Sequence, residues 1–254
     1  MPIAITRKVS PAITKCELTH LPRQKIDFAL ARQQHLAYEQ CLESLGCRVH
    51  SLPAEPALPD SVFVEDAAIV FPELAIITRP RAKSRRAEVE SIADALRPHR
   101  SLQHIAAPAT MDGGDVLRIG RKVFLGQSTR TNGHALEQLR TALGPLGYEV
   151  LGVSVKGCLH LKSAVTQVDE NTVLLNPNWV DARAFGPLKS IDIAPAEPFA
   201  ANALLVGKTV IYPSVFFETR RRLEEHGIGL AIINVSELAK AEGAVTCCSL
   251  ILGA

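Results

Sequence analysis

The sequence repeats one pattern four times, in which a short apolar run, a turn and a second apolar run follow one another. The paired runs occupy residues 66–70 and 74–77, 115–119 and 123–125, 163–168 and 173–175, and 202–206 and 210–212. The turns between them contain Pro, Gly, Asn or Asp, which are residues that β-hairpins favour. Recurrence at intervals of roughly 40–50 residues indicates a fold assembled from copies of one small unit.

Most of these predicted hairpins precede a helical pattern and then one further strand. Ser84, Thr131 or Asn132, and Ser214 are candidate N-caps, because their side-chain oxygens can accept the free amides of a first helical turn. The third unit is the weakest, since residues 179–187 predict only a short or irregular helix. The repeating unit is therefore strand, strand, helix, strand.

A fifth unit is expected from the two ends of the chain. Residues 25–45 predict a longer helix carrying Phe28, Leu36 and Leu42, and the apolar run 245–252 is expected to pair with residues 3–6. Such closure removes exposed sheet edges. The pattern thus predicts an α/β fold, a five-bladed α/β propeller of ββαβ units. An ordinary three-layer α/β sheet is the alternative, which the hairpin-first order disfavours.

Composition limits the partners that such a fold would have. The 254 residues are 47% hydrophobic and carry a formal charge of +2, which gives no electrostatic reason to bind nucleic acid or an acidic membrane surface. No apolar run is long enough to span a bilayer, and the first residues lack a signal-peptide pattern. We expect one domain over residues 1–254, located in the cytoplasm, that binds a small molecule as a monomer or homodimer.

Six cysteines raise the question of a nucleophilic thiol. They lack a Cys-x-x-Cys pair and zinc-site spacing, so reduced thiols without a metal are expected. Asp112 lies three residues before Asp115, and His160 lies three before Ser163, so the two occupy matching positions in their units. Cys247 is placed in the first strand of the fifth unit. These residues are predicted to meet at one mouth of a central channel with the carboxylates of Asp60, Glu65 and Asp66.

Several motifs resemble those of the dimethylarginine dimethylaminohydrolase family. They are Pro-Asp-Ser-Val-Phe-Val-Glu-Asp at residues 59–66, Ile-Thr-Arg-Pro at 77–80, Ser-Arg-Arg at 84–86, Met-Asp-Gly-Gly-Asp-Val-Leu at 111–117, Arg-Thr-Asn at 130–132, Leu-His-Leu-Lys at 159–162 and Val-Thr-Cys-Cys-Ser at 245–249. They occur in the family's order from the first unit to the last. The resemblance implies a five-bladed propeller that hydrolyses Nω-methylated arginine to citrulline, without a cofactor.

The resemblance also implies a role for each matching residue. Cys247 is the expected nucleophile, His160 the general acid and base, and Asp112 the group that orients His160 or bonds the guanidinium. The expected substrate contacts are a guanidinium site, an α-carboxylate clamp, an α-amine site and a lid. The resemblance places Asp66, Glu65 and the aromatic wall Phe63 at the guanidinium site, and Arg85 with Arg130 in the α-carboxylate clamp. It places Asp60 and the backbone near Ala241 at the α-amine site, and Leu18 in the lid.

Two alternatives to this function remain at this stage. A sibling enzyme of the same fold could act on arginine or another guanidino compound, as a deiminase or an amidinotransferase. The resemblance to the deiminases would require a His-x-Asp motif at this histidine. This chain has Leu161 and Lys162 after His160, so the second aspartate is missing, which disfavours a deiminase. A catalytically silent binding propeller is the other alternative. Cys248 adjoins Cys247, and only one of two neighbours on a strand can point into the channel.

Overall fold

Short strands dominate residues 1–253, which are the residues that the computed structural model describes. These residues form fifteen strands. The strands are β1 Ile3–Arg7, β2 Arg48–Leu52, β3 Ala68–Val70, β4 Leu74–Ile77, β5 Ser101–His104, β6 Val116–Ile119, β7 Lys122–Gln127, β8 Glu149–Ser154, β9 Val165–Asp169, β10 Thr172–Leu175, β11 Lys189–Asp192, β12 Leu204–Val206, β13 Thr209–Pro213, β14 Gly229–Ile233 and β15 Leu250–Leu252. The α-helices are α1 Phe28–Ser44, α2 Glu88–Leu96, α3 Gly133–Leu143, α4 Leu161–Ala164, α5 Phe217–Glu225 and α6 Ser236–Ala239.

The strands form five three-stranded sheets with one shared topology. Their orders are β3-β4-β5, β6-β7-β8, β9-β10-β11, β12-β13-β14 and β15-β1-β2. In every sheet the middle strand pairs antiparallel with the first strand and parallel with the third. The predicted repeat is therefore confirmed, including the fifth unit from both chain ends, where Ile3 lies opposite Leu252.

The first strands of the five units face a common interior. Residues of β3, β6, β9, β12 and β15 all line one cavity of about 220 Å³. Strand β15 packs against β3, and β9 packs against both β6 and β12. The turns that precede these strands consequently lie near one another, and this is where the polar residues of interest occur.

Apolar side chains fill the spaces between the sheets and the helices. Helix α3 begins after Asn132, whose side chain accepts the N–H of Ala135, as predicted. It buries one face against β7 and β8. Each buried leucine of this helix stabilises the fold by roughly 1.5–3 kcal/mol relative to an exposed one. The buried residues of α3 are Ala135, Leu136, Leu139 and Leu143.

Two of the predicted N-caps are wrong, because both helices begin later in the chain than predicted. Ser84 lies in a 3₁₀ turn, and α2 starts after Ala87 without a side-chain cap. Helix α5 starts at Phe217 rather than at Ser214. The carboxylate of Glu197 accepts the N–H groups of residues 218 and 219, so a distant acidic residue replaces the local cap.

The first helix also differs in detail from its prediction. Helix α1 begins after Asp27, whose carboxylate accepts the N–H of Leu30, so it starts later than residue 25. Leu36 is 53% exposed and is not part of the buried face, whereas Leu42 is fully buried. The weak third unit is confirmed, since only a 3₁₀ turn at Ala182–Phe185 replaces its helix.

The placement of Cys247 in a strand is wrong. Residues 245–248 form a turn, and the closing strand begins only at Leu250. The amide of Cys247 donates to the carbonyl of Ala244 at 3.2 Å, which satisfies it locally within the turn instead of in a sheet. None of the helices within residues 1–253 is both long and apolar enough to cross a membrane.

Candidate active site

The matching positions predicted for Asp112 and His160 are confirmed by local structure. Asp112 immediately precedes the 3₁₀ turn Gly113–Asp115 before β6, and His160 immediately precedes α4 before β9. Phe63 has the same place before the 3₁₀ turn Val64–Ala67, which leads into β3. These short helical turns precede β3, β6 and β9, and the turn before β6 contacts those before β3 and β9.

The glycines of the Met-Asp-Gly-Gly-Asp motif allow these turns to approach closely. A methyl group on Gly113 would overlap the backbone oxygen of Glu65, and one on Gly114 would overlap the His160 ring and the Asp66 carboxylate. Neither glycine has a positive φ. Close packing between units is therefore the reason for glycine here.

His160 lies buried between carboxylates. Its Nε2 is 3.0 Å from Oδ2 of Asp112, and its Nδ1 is 3.8 Å from Oδ1 of Asp66. Burial alone would lower the pKa of His160, but Asp66, the hydrogen bond with Asp112 and the charge of Asp115 raise it to about 9. His160 is consequently an imidazolium at neutral pH, which can donate a proton to a leaving group.

Asp66 is an ionised carboxylate in the same buried cluster. Its Oδ2 accepts from Nη1 of Arg85 at 2.6 Å, and its Oδ1 accepts the N–H of Gly114 at 3.1 Å. Burial alone would raise the pKa of Asp66, but His160 and Arg85 hold it at about 2. An anion kept charged in this way can bind a cationic ligand.

Cys247 and Cys248 have different surroundings. Cys247 lines the same cavity as His160 and Asp66, whereas Cys248 is fully buried in the apolar core, with its thiol near the carbonyl of Ala244. Burial of the sulfur, followed by the charges of Glu65 and Asp66, raises the pKa of Cys247 well above its usual range. Cys247 is therefore a thiol, not a thiolate, at neutral pH.

Asp60, Arg85 and Arg130 also reach this cavity. Arg85 is buried and engaged by two carboxylates, those of Asp66 and Glu88. Nη2 of Arg130 donates to the Thr19 hydroxyl at 2.8 Å. Oδ2 of Asp60 accepts the N–H of residue 17, and burial raises the pKa of this carboxyl group.

Two predicted substrate contacts lie elsewhere, and the rest of the predicted set stays together. The carboxylate of Glu65 accepts from Nζ of Lys162 at 2.5 Å and from the hydroxyl of Thr246 at 2.8 Å, and it lines the cavity between the first strands. Leu18 packs against the apolar core. Asp112 stands behind His160, fully buried. The predicted residues that line the cavity are Asp60, Phe63, Asp66, Arg85, Arg130, His160, Ala241 and Cys247.

The sequence did not single out two acidic residues that face this cavity, Glu17 and Glu242. The carboxylate of Glu242 accepts the consecutive amides of Thr19, His20 and Leu21. Glu242 has φ of +58°, a conformation that is strained for a residue with a Cβ. This strain at a non-glycine residue is visible only in the backbone geometry, so nothing in the sequence signals that Glu242 belongs to the site.

The site cavity itself is small and closed. Its volume is about 20 Å³, room for one water molecule, so an arginine-sized ligand does not fit unless the lining residues rearrange. A larger cavity of about 210 Å³ lies beside it, sharing Leu159 and Glu242, but its lining is mostly apolar and omits Cys247 and His160. The chemistry-bearing groups thus converge on the smaller cavity.

One cluster of metal-type donors occurs among residues 1–253. Single ligand atoms of Asp66, Asp112 and His160 lie within 4.8 Å of one another. These donors are already engaged, because Asp112 bonds the imidazole and Asp66 pairs with Arg85. In this arrangement the two carboxylates are therefore occupied by contacts with His160 and Arg85.

A thiol, an imidazolium and a buried anion around one cavity fit the class of enzymes that attack a small cationic substrate with a cysteine. A family model described as "N,N dimethylarginine dimethylhydrolase, eukaryotic" matches residues 17–184. An N(G),N(G)-dimethylarginine dimethylaminohydrolase from Streptomyces coelicolor is 38% identical over 98% of this chain and 96% of its own length. The chain belongs to the dimethylarginine dimethylaminohydrolase family.

Two further comparisons agree with this family. The enzyme of the same name from Pseudomonas aeruginosa is 34% identical over 89% of this chain and 90% of its own length. A solved structure from Pseudomonas aeruginosa, a cysteine-to-serine mutant of that enzyme complexed with citrulline, has a TM-score of 0.94 at 32% identity and covers 98% of both chains.

Proposed function

We propose that this chain hydrolyses Nω-methylated arginine to citrulline, releasing methylamine or dimethylamine, with Cys247 as the nucleophile. The observation that carries the proposal is the shared cavity of Cys247, His160 and Asp66. The Pseudomonas relative bound to citrulline supports this product. The family membership favours it over a silent binding protein.

Recognition of the substrate begins with charge. A guanidinium is a flat cation that a buried, ionised carboxylate stabilises strongly, and Asp66 is such a group. Phe63 lines the same cavity and provides an aromatic wall. Arg85 and Arg130 also line the cavity and would hold the α-carboxylate, while Asp60 would hold the α-amine.

Attack requires the Cys247 thiol to lose its proton. The raised pKa of Cys247 in the free site means that the bound substrate cation must stabilise the thiolate, so the proton leaves to solvent as substrate binds. The thiolate then attacks the guanidinium carbon and forms a tetrahedral adduct. Ionisation is thereby coupled to the presence of the correct cation.

His160 completes both half-reactions. Its imidazolium donates a proton to the leaving nitrogen as the C–N bond breaks, which releases the amine and leaves an S-alkylthiouronium on Cys247. The neutral imidazole then takes a proton from water, whose oxygen attacks the same carbon. Collapse of this second adduct breaks the C–S bond, and the hydroxyl proton passes to the departing sulfur as the carbonyl of citrulline forms, which restores the Cys247 thiol.

We also propose that the five sheets close into one propeller domain over residues 1–254. The common cavity lined by all five first strands supports closure around a central axis. A cytoplasmic location and a monomeric or homodimeric state stay predictions from the sequence.

A substrate comparison tests the proposed function. Purified protein is incubated with asymmetric dimethylarginine, monomethylarginine or arginine, with a chelator present, and citrulline and the released amine are quantified. We expect equal amounts of citrulline and dimethylamine from the dimethylated substrate, with full activity in chelator. Turnover of arginine well above that of dimethylarginine would assign the chain to a sibling activity instead.

A further inference from the structure

Asp115 is a buried carboxylate to which the proposed reaction gives no role. It ends the 3₁₀ turn Gly113–Asp115 and is 0% exposed. Among the ion pairs of residues 1–253, none joins Asp115 to a lysine or arginine. Removing an anion from water without a directly bonded cation is costly, so this carboxylate calls for a reason beyond a simple turn.

Three donors satisfy this carboxylate, two hydroxyls from the loop between β7 and α3 and one backbone amide from the start of α4. Oδ2 accepts from the hydroxyls of Ser128 and Thr131, both at 2.6 Å, and Oδ1 accepts the backbone N–H of Leu161 at 2.9 Å. Leu161 directly follows His160 and begins α4. One arm of Asp115 therefore fixes the backbone that carries the imidazole.

The two hydroxyl groups that donate to Asp115 also act as relays, because each accepts a hydrogen bond from another residue of the site. The Ser128 oxygen accepts the N–H of Arg130 at 2.9 Å, and the Thr131 oxygen accepts the N–H of Asp112 at 3.3 Å. A hydroxyl has one proton, so donating it to Asp115 turns the oxygen lone pairs toward those amides.

We propose that Asp115 is a positioning residue that sets the mutual placement of His160, Asp112 and Arg130. The inference rests on the proposed function, because positioning is defined relative to that reaction. The charge of Asp115 also faces the imidazole. The titratable groups around His160 are Asp66, Asp112, Asp115, Cys158 and Cys247.

The first test replaces the charge while keeping the shape, with Asp115→Asn. An asparagine can still accept from Leu161, but its NH₂ group is a donor and forces the hydroxyl relays to reverse. We expect kcat to fall by about 10- to 100-fold with the fold retained. Asp27→Asn, at the α1 cap, is the matched control and is expected to retain wild-type kcat.

A readout without substrate separates this inference from the proposed function. Histidine NMR titration, with His160→Asn to assign the resonance, measures the pKa of His160 directly. Asp115→Asn is expected to lower that pKa by about one unit, because a nearby negative charge is lost. The titration stays informative even if wild-type protein forms no citrulline, an outcome that would reject the function alone.

The relays give a second, finer test. Thr131→Val removes the link to Asp112 and is expected to lower kcat, whereas Ser128→Ala removes the link to Arg130 and is expected mainly to raise KM. If Asp115→Asn lowers only the melting temperature, with kcat, KM and the His160 titration unchanged, Asp115 is merely structural and the inference is overturned. Equal effects of Thr131→Val and Ser128→Ala on kcat alone would also contradict it.

Discussion

The two sides of the site cavity are built differently. The inner side consists of Asp66 and His160, with Asp112 behind the histidine, and all three are buried in turns that lead directly into core strands. The outer side consists of the loop at residues 16–26, which is held by polar contacts at the surface, such as those from Glu242. The comparison shows that the groups proposed for chemistry are held by buried contacts, whereas the loop is held by exposed hydrogen bonds.

The energetic contrast follows from burial. An exposed hydrogen bond contributes only about 1 kcal/mol to stability, because water replaces it readily. A charged hydrogen bond of the inner side, such as that between His160 and Asp112, cannot be exchanged for water without disrupting the packing around it. Changes on the inner side should therefore affect the chemical step, and changes on the outer side should affect substrate entry.

The largest expected effect is that of Cys247→Ser. Citrulline formation should fall by at least about 10³-fold, because a hydroxyl replaces the thiol in a site that depends on an ionised sulfur. Cys248→Ala is the matched control and should stay active, since that side chain lies in the core. A folded Cys248→Ala protein without activity, beside an active Cys247→Ser protein, would mean that the assignment of the two thiols is reversed.

Asp66→Asn should have the next largest effect. Loss of the anion should reduce kcat/KM for dimethylarginine by roughly 10²–10³-fold, because both the substrate cation and the His160 imidazolium lose their partner. Steady-state kinetics measure this effect. Glu88→Gln, which removes the other carboxylate of Arg85, should leave most of kcat in place. A smaller loss in Asp66→Asn than in Glu88→Gln would refute the guanidinium site.

The pH dependence probes the inner side. At saturating substrate kcat should decline toward alkaline pH with a midpoint no higher than about 9, because His160 must be protonated and the bound cation can only lower its pKa. Asp112→Asn should move this midpoint to lower pH by removing the hydrogen bond that raises the pKa of His160. If the midpoint of the kcat profile does not move in Asp112→Asn, Asp112 does not raise the pKa of His160, which contradicts the prediction.

The raised pKa of His160 also predicts how the stability of the fold depends on pH. The folded pKa of His160, about 9, exceeds the unfolded value of 6.5, so this stabilisation is complete below about pH 6.5 and is lost as the pH rises through about 9. Melting temperatures of wild type and His160→Asn measured from pH 6 to 10 test it. A difference between the two proteins that grows with pH would contradict the sign.

The smallest expected effect belongs to the outer side. Glu242→Gly removes the carboxylate that accepts the loop amides, and it relieves the strain of φ +58°. KM should rise by about 5- to 10-fold while kcat changes little, whereas in the free energy of unfolding the lost hydrogen bonds and the relieved strain oppose each other. Kinetics and thermal unfolding measured on the same protein distinguish the two effects. A large loss of kcat would show that the outer side also takes part in chemistry.

The inner side was largely predictable from the sequence, because it depends on the repeat. The matching positions of Asp112 and His160 follow from local order along the chain, and Asn132 caps its helix as predicted. The turn at Cys247 was not predicted, since an apolar run does not reveal where sheet pairing ends.

The outer side and the polar supports depend on contacts between distant segments. Glu197 caps α5 from another unit, and Glu242 meets residues that lie more than two hundred positions earlier. Glu65 points toward Lys162 and not toward the site cavity, because the packing between units determines its orientation. Such pairings leave no periodic signal in one sequence.

The central claim is that Cys247 attacks the guanidinium carbon beside His160. Protein quenched with acid during turnover of dimethylarginine can be digested and its peptides analysed by mass spectrometry. The account predicts a thiouronium adduct on Cys247 that is absent from Cys247→Ser protein and present in Cys248→Ala protein. An adduct carried by Cys248, with Cys247 unmodified throughout turnover, would contradict it.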